Sequence, residues 1–149
     1  MKREFGNWIM RLLRGGTTLN EAEYFVLVTL VGSLDAQIRS VVQSHFNEYN
    51  LVQREVDGRA LNFYKIGPKG RKLEVSCPLE MEKLEEPLVK ATFAIPRDNK
   101  SFYAVLTAVG GRAFCITFSR ALPNSGFGTT PTVSSITQSW RSGVRVGAA

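Results

Sequence analysis

The chain of 149 residues is 44% hydrophobic and 21% charged, which suits one ordinary globular domain and excludes wholesale disorder, a collagen-like repeat or a coiled coil. Nineteen Lys and Arg against 13 Asp and Glu leave a net charge of +6. Two cysteines, Cys77 and Cys115, make no disulfide framework, and a chain this long buries enough surface to fold without a metal.

Residues 2–14 predict a short amphipathic helix. Phe5, Trp8, Ile9, Leu12 and Leu13 share one face, and Gly15-Gly16 stops it. A basic start followed by a short apolar stretch broken at Arg11 is a poor match to a secretory leader. The longest apolar run, Tyr24 to Val31, falls far short of the about 20 residues of a membrane span. A reducing, cytoplasmic location is the expectation.

That same run is rich in β-branched and aromatic residues, so it reads as a buried strand or as a helix. Thr18 and Glu21 have capping-box spacing and favour the helix. A second helix follows from Ser33, its N-cap, with Asp35 in the first turn and Leu34, Ile38, Val41, Val42, His45 and Phe46 at helical spacing. After Asn50 the period becomes two. Leu51 to Val56 and Arg59 to Ile66 flank Asp57-Gly58, a hairpin signal. Further strands are expected at Arg71 to Cys77, Leu88 to Ile95, Phe102 to Val109 and Arg112 to Arg120, with Pro78 to Pro87 as a loop or helical turn.

The expected fold is α+β: N-terminal helices packed on one face of a five- to six-stranded, mostly antiparallel meander sheet. Residues 1–16 form the first helix, 17–122 a single α+β domain, and 123–149 a Ser/Thr/Gly-rich basic tail. That tail is read as an extended or disordered arm docking through Trp140.

Charge is concentrated. Residues 65–72 carry Lys65, Lys69, Arg71 and Lys72 with no acid, in a turn built on Gly67-Pro68 and Gly70. Such a turn lets backbone N–H groups approach an anion that the cations neutralise. The competing reading is a solvated turn whose cations pair with the acidic run Glu80 to Glu86. Aromatics interleave with the cations at Phe63-Tyr64 and Phe102-Tyr103, and in a strand one of each pair must face away from the other.

Catalytic patterns are weak. His45 reads as a partly buried packing residue and Cys115 as a small core residue. A Cys–His dyad requires the fold to bring them, or His45 and Cys77, together. No metal site or cofactor is expected, because one His and two Cys fall short of a zinc ligand set and no phosphate-loop or dinucleotide fingerprint is present.

The favoured reading is a noncatalytic nucleic-acid binder, for RNA or DNA. Lys65, Lys69, Arg71 and Lys72 hold phosphates, Arg97, Lys100 and Arg112 extend the track, Tyr64 or Tyr103 stacks on a base, and Arg141 and Arg145 of the tail wrap the ligand. The alternative is a protein-interaction module, such as an adaptor, inhibitor, immunity-like protein or secretion-associated chaperone. It would act through Trp8, Ile9, Leu12 and Trp140, with a homodimer or a small-molecule pocket also open.

Overall fold

The computed structural model describes residues 19–76, 78–123, 127–128, 130–138 and 144–147. The expected helix over 2–14, with Trp8, Ile9 and Leu12, lies outside these residues, as do Cys77, Trp140 and Arg141.

Two helices open the described chain, α1 (Glu21–Gly32) and α2 (Ala36–Glu48). The capping box of α1 is real but sits two residues later than Thr18. Asn20 Oδ1 accepts from Glu23 N at 2.8 Å, and Glu23 Oε2 accepts from Asn20 N at 2.9 Å. Tyr24 to Gly32 carries no charge, so α1 is apolar on every side; Val26, Leu27, Leu30 and Val31 are fully buried. A helix apolar all round belongs inside a protein. Ser33 closes α1 rather than opening α2, and the N-cap of α2 is Asp35, whose carboxylate accepts from Gln37 N at 3.2 Å.

The strands are β1 (Leu51–Arg54), β2 (Ala60–Ile66), β3 (Lys72–Leu73), β4 (Leu79–Met81), β5 (Glu85–Ile95), β6 (Lys100–Val109), β7 (Arg112–Phe118), β8 (Thr132–Gln138) and β9 (Val144–Val146). The main sheet runs β1-β2-β7-β6-β5-β8, with β3 beside one end of β2, and every pair is antiparallel. β5, β6 and β7 form the meander. β4 and β9 make a separate two-stranded ladder, so the acidic stretch expected to be a loop or helical turn holds a strand. In the tail, 132–138 adds a strand to β5 and 144–146 pairs with β4.

Turn chemistry explains the hairpins. Gly110 and Gly111 both have positive φ, at 57° and 82°, which suits a two-residue turn between Val109 and Arg112. Gly111 has a second duty, since a Cβ there would stand 2.5 Å from the Leu79 carbonyl oxygen. Its own carbonyl accepts from Leu79 N at 2.6 Å, which seats β4 on this turn. At Asp57-Gly58 only the glycine has positive φ, so the loop is wider than two residues: Glu55 N donates to Ala60 O at 3.0 Å.

The core lies between the helices and one face of the sheet. Leu61, Phe63, Phe93, Leu106 and Ile116 point into it, joined by Phe46 of α2. Phe46 packs edge-on against Tyr49 and Phe63, with ring centres 5.5 and 4.9 Å away. Both described helices lie on this face, so among the described residues no helix covers the other face. No described helix is long and apolar enough to cross a membrane.

Candidate functional site

The turn at 65–72 is not a uniform block of free cations. Lys65 lies on the helix side of β2, with Nζ 2.7 Å from Glu48 Oε2. Ser76 N donates to the other Glu48 oxygen at 3.0 Å. Burial pushes the Glu48 carboxyl up, but the hydrogen bonds from Lys65 and Ser76 and the charge of Lys65 outweigh it. The group is held below its ordinary value. Gly67 N donates to Arg71 O at 2.8 Å and Arg71 N to Pro68 O at 3.4 Å. Those two N–H groups therefore serve the turn itself rather than an anion. Lys69 and Arg71 are exposed, and among the described residues neither forms an ion pair. None of the ion pairs there joins these cations to Glu80–Glu86. Glu80 instead stands opposite Arg145 in the β4–β9 ladder.

Arg112 is a rivet. Its guanidinium donates to Val75 O at 3.2 Å, Gly110 O at 3.0 Å and Glu74 Oε2 at 3.1 Å, tying the segment after β3 to the β6–β7 turn. Arg97 and Lys100 are exposed at the β5–β6 turn. Val109 pairs with Arg112 while Lys100 begins the same strand, so the two sites sit at opposite ends of β6, about 30 Å apart at a strand's rise. The structure does not bring Arg97 and Lys100 to the 65–72 turn.

It does bring the two tyrosines to one face. Phe63 and Phe102 point into the core at 0% and 2% exposure, so Tyr64 and Tyr103 point out through the uncovered face. Each carries a lysine: Lys72 Nζ is 4.3 Å from the Tyr64 ring centre, and Lys90 Nζ is 4.1 Å from that of Tyr103. Both are diagonal cross-strand neighbours. Ile66 pairs with Lys72 two residues from Tyr64, and Thr92 pairs with Tyr103 two residues from Lys90. Phe114 packs edge-on against Tyr64 at 5.2 Å. Lys90 and Phe114 were not singled out from the sequence. The polar side of β5, Lys90 and Thr92 alternating with buried Val89, Ala91 and Phe93, was the available signal for Lys90.

Between the two tyrosines the face carries Asn62, Thr117, Val105 and Cys115. Cys115 is half-buried here, not in the core as expected. β7 is bulged: Thr107 and Ala108 pair with Cys115 and Ala113, which leaves Phe114 as an extra residue. Ile116 takes the core position instead. Burial pushes the Cys115 thiol up to about 11, helped by the charges of Glu85 and Glu55. Burial also raises the Tyr64 hydroxyl, again with Glu55 and Cys115 adding to the effect. Asn62 Nδ2 donates to Glu55 Oε1 at 2.8 Å, so a carboxylate reaches the otherwise uncharged stretch between the two lysine–tyrosine pairs.

His45 is fully buried on the other side of β7, more deeply than expected. Its Nδ1 accepts from Ala113 N at 3.1 Å, and the Tyr49 hydroxyl donates to Ala113 O. Burial, only partly offset by the charge of Arg112, holds that hydroxyl protonated. His45 and Cys115 thus lie on opposite faces of the strand and form no dyad. An open depression of about 600 Å³ at the β1–β2 turn is lined by Glu55, Asp57, Arg59 and Phe118. Its charged groups are solvated rather than convergent and buried. No group of three metal-ligating side chains occurs among the described residues.

Comparison with protein-family models, curated proteins and solved structures returns no match.

Proposed function

We propose that the protein is a noncatalytic binder of single-stranded nucleic acid that uses the uncovered face of its sheet. The observation that carries this reading is the pair of lysine-topped tyrosines, Lys72–Tyr64 and Lys90–Tyr103, on one face. Stacking needs an aromatic plane within reach of solvent; Tyr103 is 42% exposed, and a base stacking on the face that Lys90 tops would displace that flexible side chain towards a phosphate. Phosphates need cations that are not already neutralised. Lys69, Arg71 and Lys72 meet that need at one end, and Lys90, with Arg97 and Lys100, supplies it at the other. Lys65 and Arg112 leave the ligand set because Glu48 and Glu74 hold them. The stretch between the pairs carries no cation, so phosphate contacts are expected at the two ends rather than across the middle.

The test is anisotropy with labelled single- and double-stranded RNA and DNA at about 50 and 200 mM salt, where phosphate contacts weaken sharply. Tyr103→Ala is expected to weaken binding about fivefold to a hundredfold, the worth of one stacked base. Lys72→Glu with Lys90→Glu is expected to flatten the salt dependence. Binding that ignores all three substitutions, or no binding, overturns the reading.

One observation favours a second reading, a protein partner. β8 is an edge strand, exposed at all seven positions, and its outer edge is unpaired among the described residues. Such an edge can accept another strand, from a partner or from a second copy of the chain. A partner held there would stay bound in excess oligonucleotide and would ignore Tyr103→Ala.

A further inference from the structure

The helix-covered side of the molecule has an apolar strip with no cover among the described residues. Phe25 of α1 packs on Phe93, with ring centres 6.0 Å apart, and Phe93 pairs with Val133 of β8. Eight residues beyond Phe25, Ser33 O accepts from Gln138 Nε2 at 2.7 Å. α1 therefore runs beside β8 in the same direction. Along this seam lie Tyr24, 38% exposed, Val133 at 40% and Ile136 at 47%, with Phe25 and Val28 half-buried between them. Ile136 pairs with Ala91 and Val133 with Phe93, so both point to the helix side of the sheet, where a second layer is expected. Gly32 closes the seam, with nothing within 4 Å of where its Cβ would stand.

We propose that this seam is the dock of the chain's own residues 2–14, which pack there as a helix antiparallel to α1. Three observations choose this occupant, independently of the nucleic-acid reading. First, length: 13 helical residues span about 20 Å, against about 18 Å for α1. Second, position: the segment ends at Arg14, and the run Gly15–Thr18 before Leu19 reaches at most about 17 Å, enough to turn back across the 8–10 Å between packed helices. Third, charge: an antiparallel arrangement sets Arg14 near exposed Glu21 and sets Lys2 and Arg3 near exposed Asp35, at the C-terminal end of α1. The face presented to the seam is Phe5, Trp8, Ile9, Leu12 and Leu13.

The two tryptophans make this measurable. In the full chain carrying Trp140→Phe, Trp8 is the sole indole. Its emission is expected to be blue-shifted and shielded from acrylamide, with the chain monomeric by light scattering. Ile136→Asp, at a surface position, is expected to red-shift the emission and restore quenching with the circular dichroism unchanged. Tyr24→Lys, on the opposite wall, is expected to do the same. Three results overturn the proposal. Trp8 is already water-exposed in the parent; Trp8 is shielded but indifferent to both substitutions; or its shielding falls on dilution together with a halving of mass, which would assign the seam to a second copy.

Discussion

On the helix-covered side of the sheet, His45 and Tyr49 close on the backbone of Ala113, Lys65 closes on Glu48, and Arg54 closes on Glu23. Two residues along from Ala113, on the uncovered side, Cys115 looks past Asn62 towards Tyr64, and the nearest cations sit on aromatic rings instead of carboxylates. The two sides share one sheet, but the covered one is lined by the apolar core and the other by side chains such as Asn62, Lys90, Thr92 and Tyr103. Solvent adds to that difference. Under the helices a polar group left unpaired costs its full desolvation, and His45, Tyr49, Glu23 and Lys65 each meet a specific partner there. On the uncovered side water supplies the alternative, and Lys90 and Tyr103 stay exposed, as the proposed ligand role requires.

The largest break in this contrast is expected from Phe46→Ala, which removes a fully buried ring from between Tyr49 and Phe63. A loss of about 3–5 kcal/mol in urea unfolding is expected. A loss as small as that of a surface change would mean that α2 is not what organises the covered side.

Next comes Glu23→Gln. Glu23 takes two Arg54 nitrogens at 2.6 Å each and also caps α1. Arg54 is partly solvated, so the cost falls to about 1–3 kcal/mol, below that of a fully buried broken pair. A double-mutant cycle with Arg54→Gln is expected to show strong coupling, and additivity would remove the pair from the account.

Smaller still is the Lys65–Glu48 pair, worth about 0.5–1 kcal/mol at its partial exposure. The Glu48 carboxyl is depressed in the folded state below its ordinary 4.5. Its contribution is therefore present above that value and drains away as pH falls through the lower folded value. The gap in urea midpoint between parent and Glu48→Gln is expected to be open at pH 7 and to narrow progressively as the pH falls below 4.5. A gap that persists in acid contradicts the assignment.

The smallest effect sharpens the uncovered side. With its thiol at about 11, Cys115 in a Cys77→Ser background is expected to alkylate slowly at pH 8, since only about one thiol in a thousand is ionised there. Glu85→Gln or Glu55→Gln is expected to speed the reaction with no measurable change in stability. Unchanged rates would show that burial alone sets the thiol.

Much of this architecture was legible from hydropathy period and turn residues: two helices, then β2, β5, β6 and β7 with ends off by a few residues. What was not legible depended on partners distant in sequence. Strict alternation through Arg112–Phe118 sends Ala113 and Cys115 to the same face, but the bulge at Phe114 resets the phase, and only the strand beside it reveals the extra residue. The acidic run Glu80–Glu86 looked like the natural counterion for the turn at 65–72. The carboxylate that reached Lys65 is Glu48, at the end of α2, because two residues later Asn50 is hydrogen-bonded to Ile66 at the end of β2. Tyr64 and Tyr103 were visible as aromatic partners of cations. Which cations they met, Lys72 and Lys90, followed from strand register.

β8 and β9 also set a timetable for synthesis. β5 finds β6 across a four-residue turn, and β6 finds β7 across two glycines, so this three-strand unit can close as soon as residue 118 is free of the ribosome. The outer edge of β5 waits for residues 132–138, and β4 waits for 144–146, a closure spanning more than 60 residues. Until then the nascent chain offers water the bare edge of β5, with its flanking Val89, Ala91 and Phe93. That interval is when strand-to-strand aggregation competes with folding, and a chaperone that shields β5 would act before the last strands emerge.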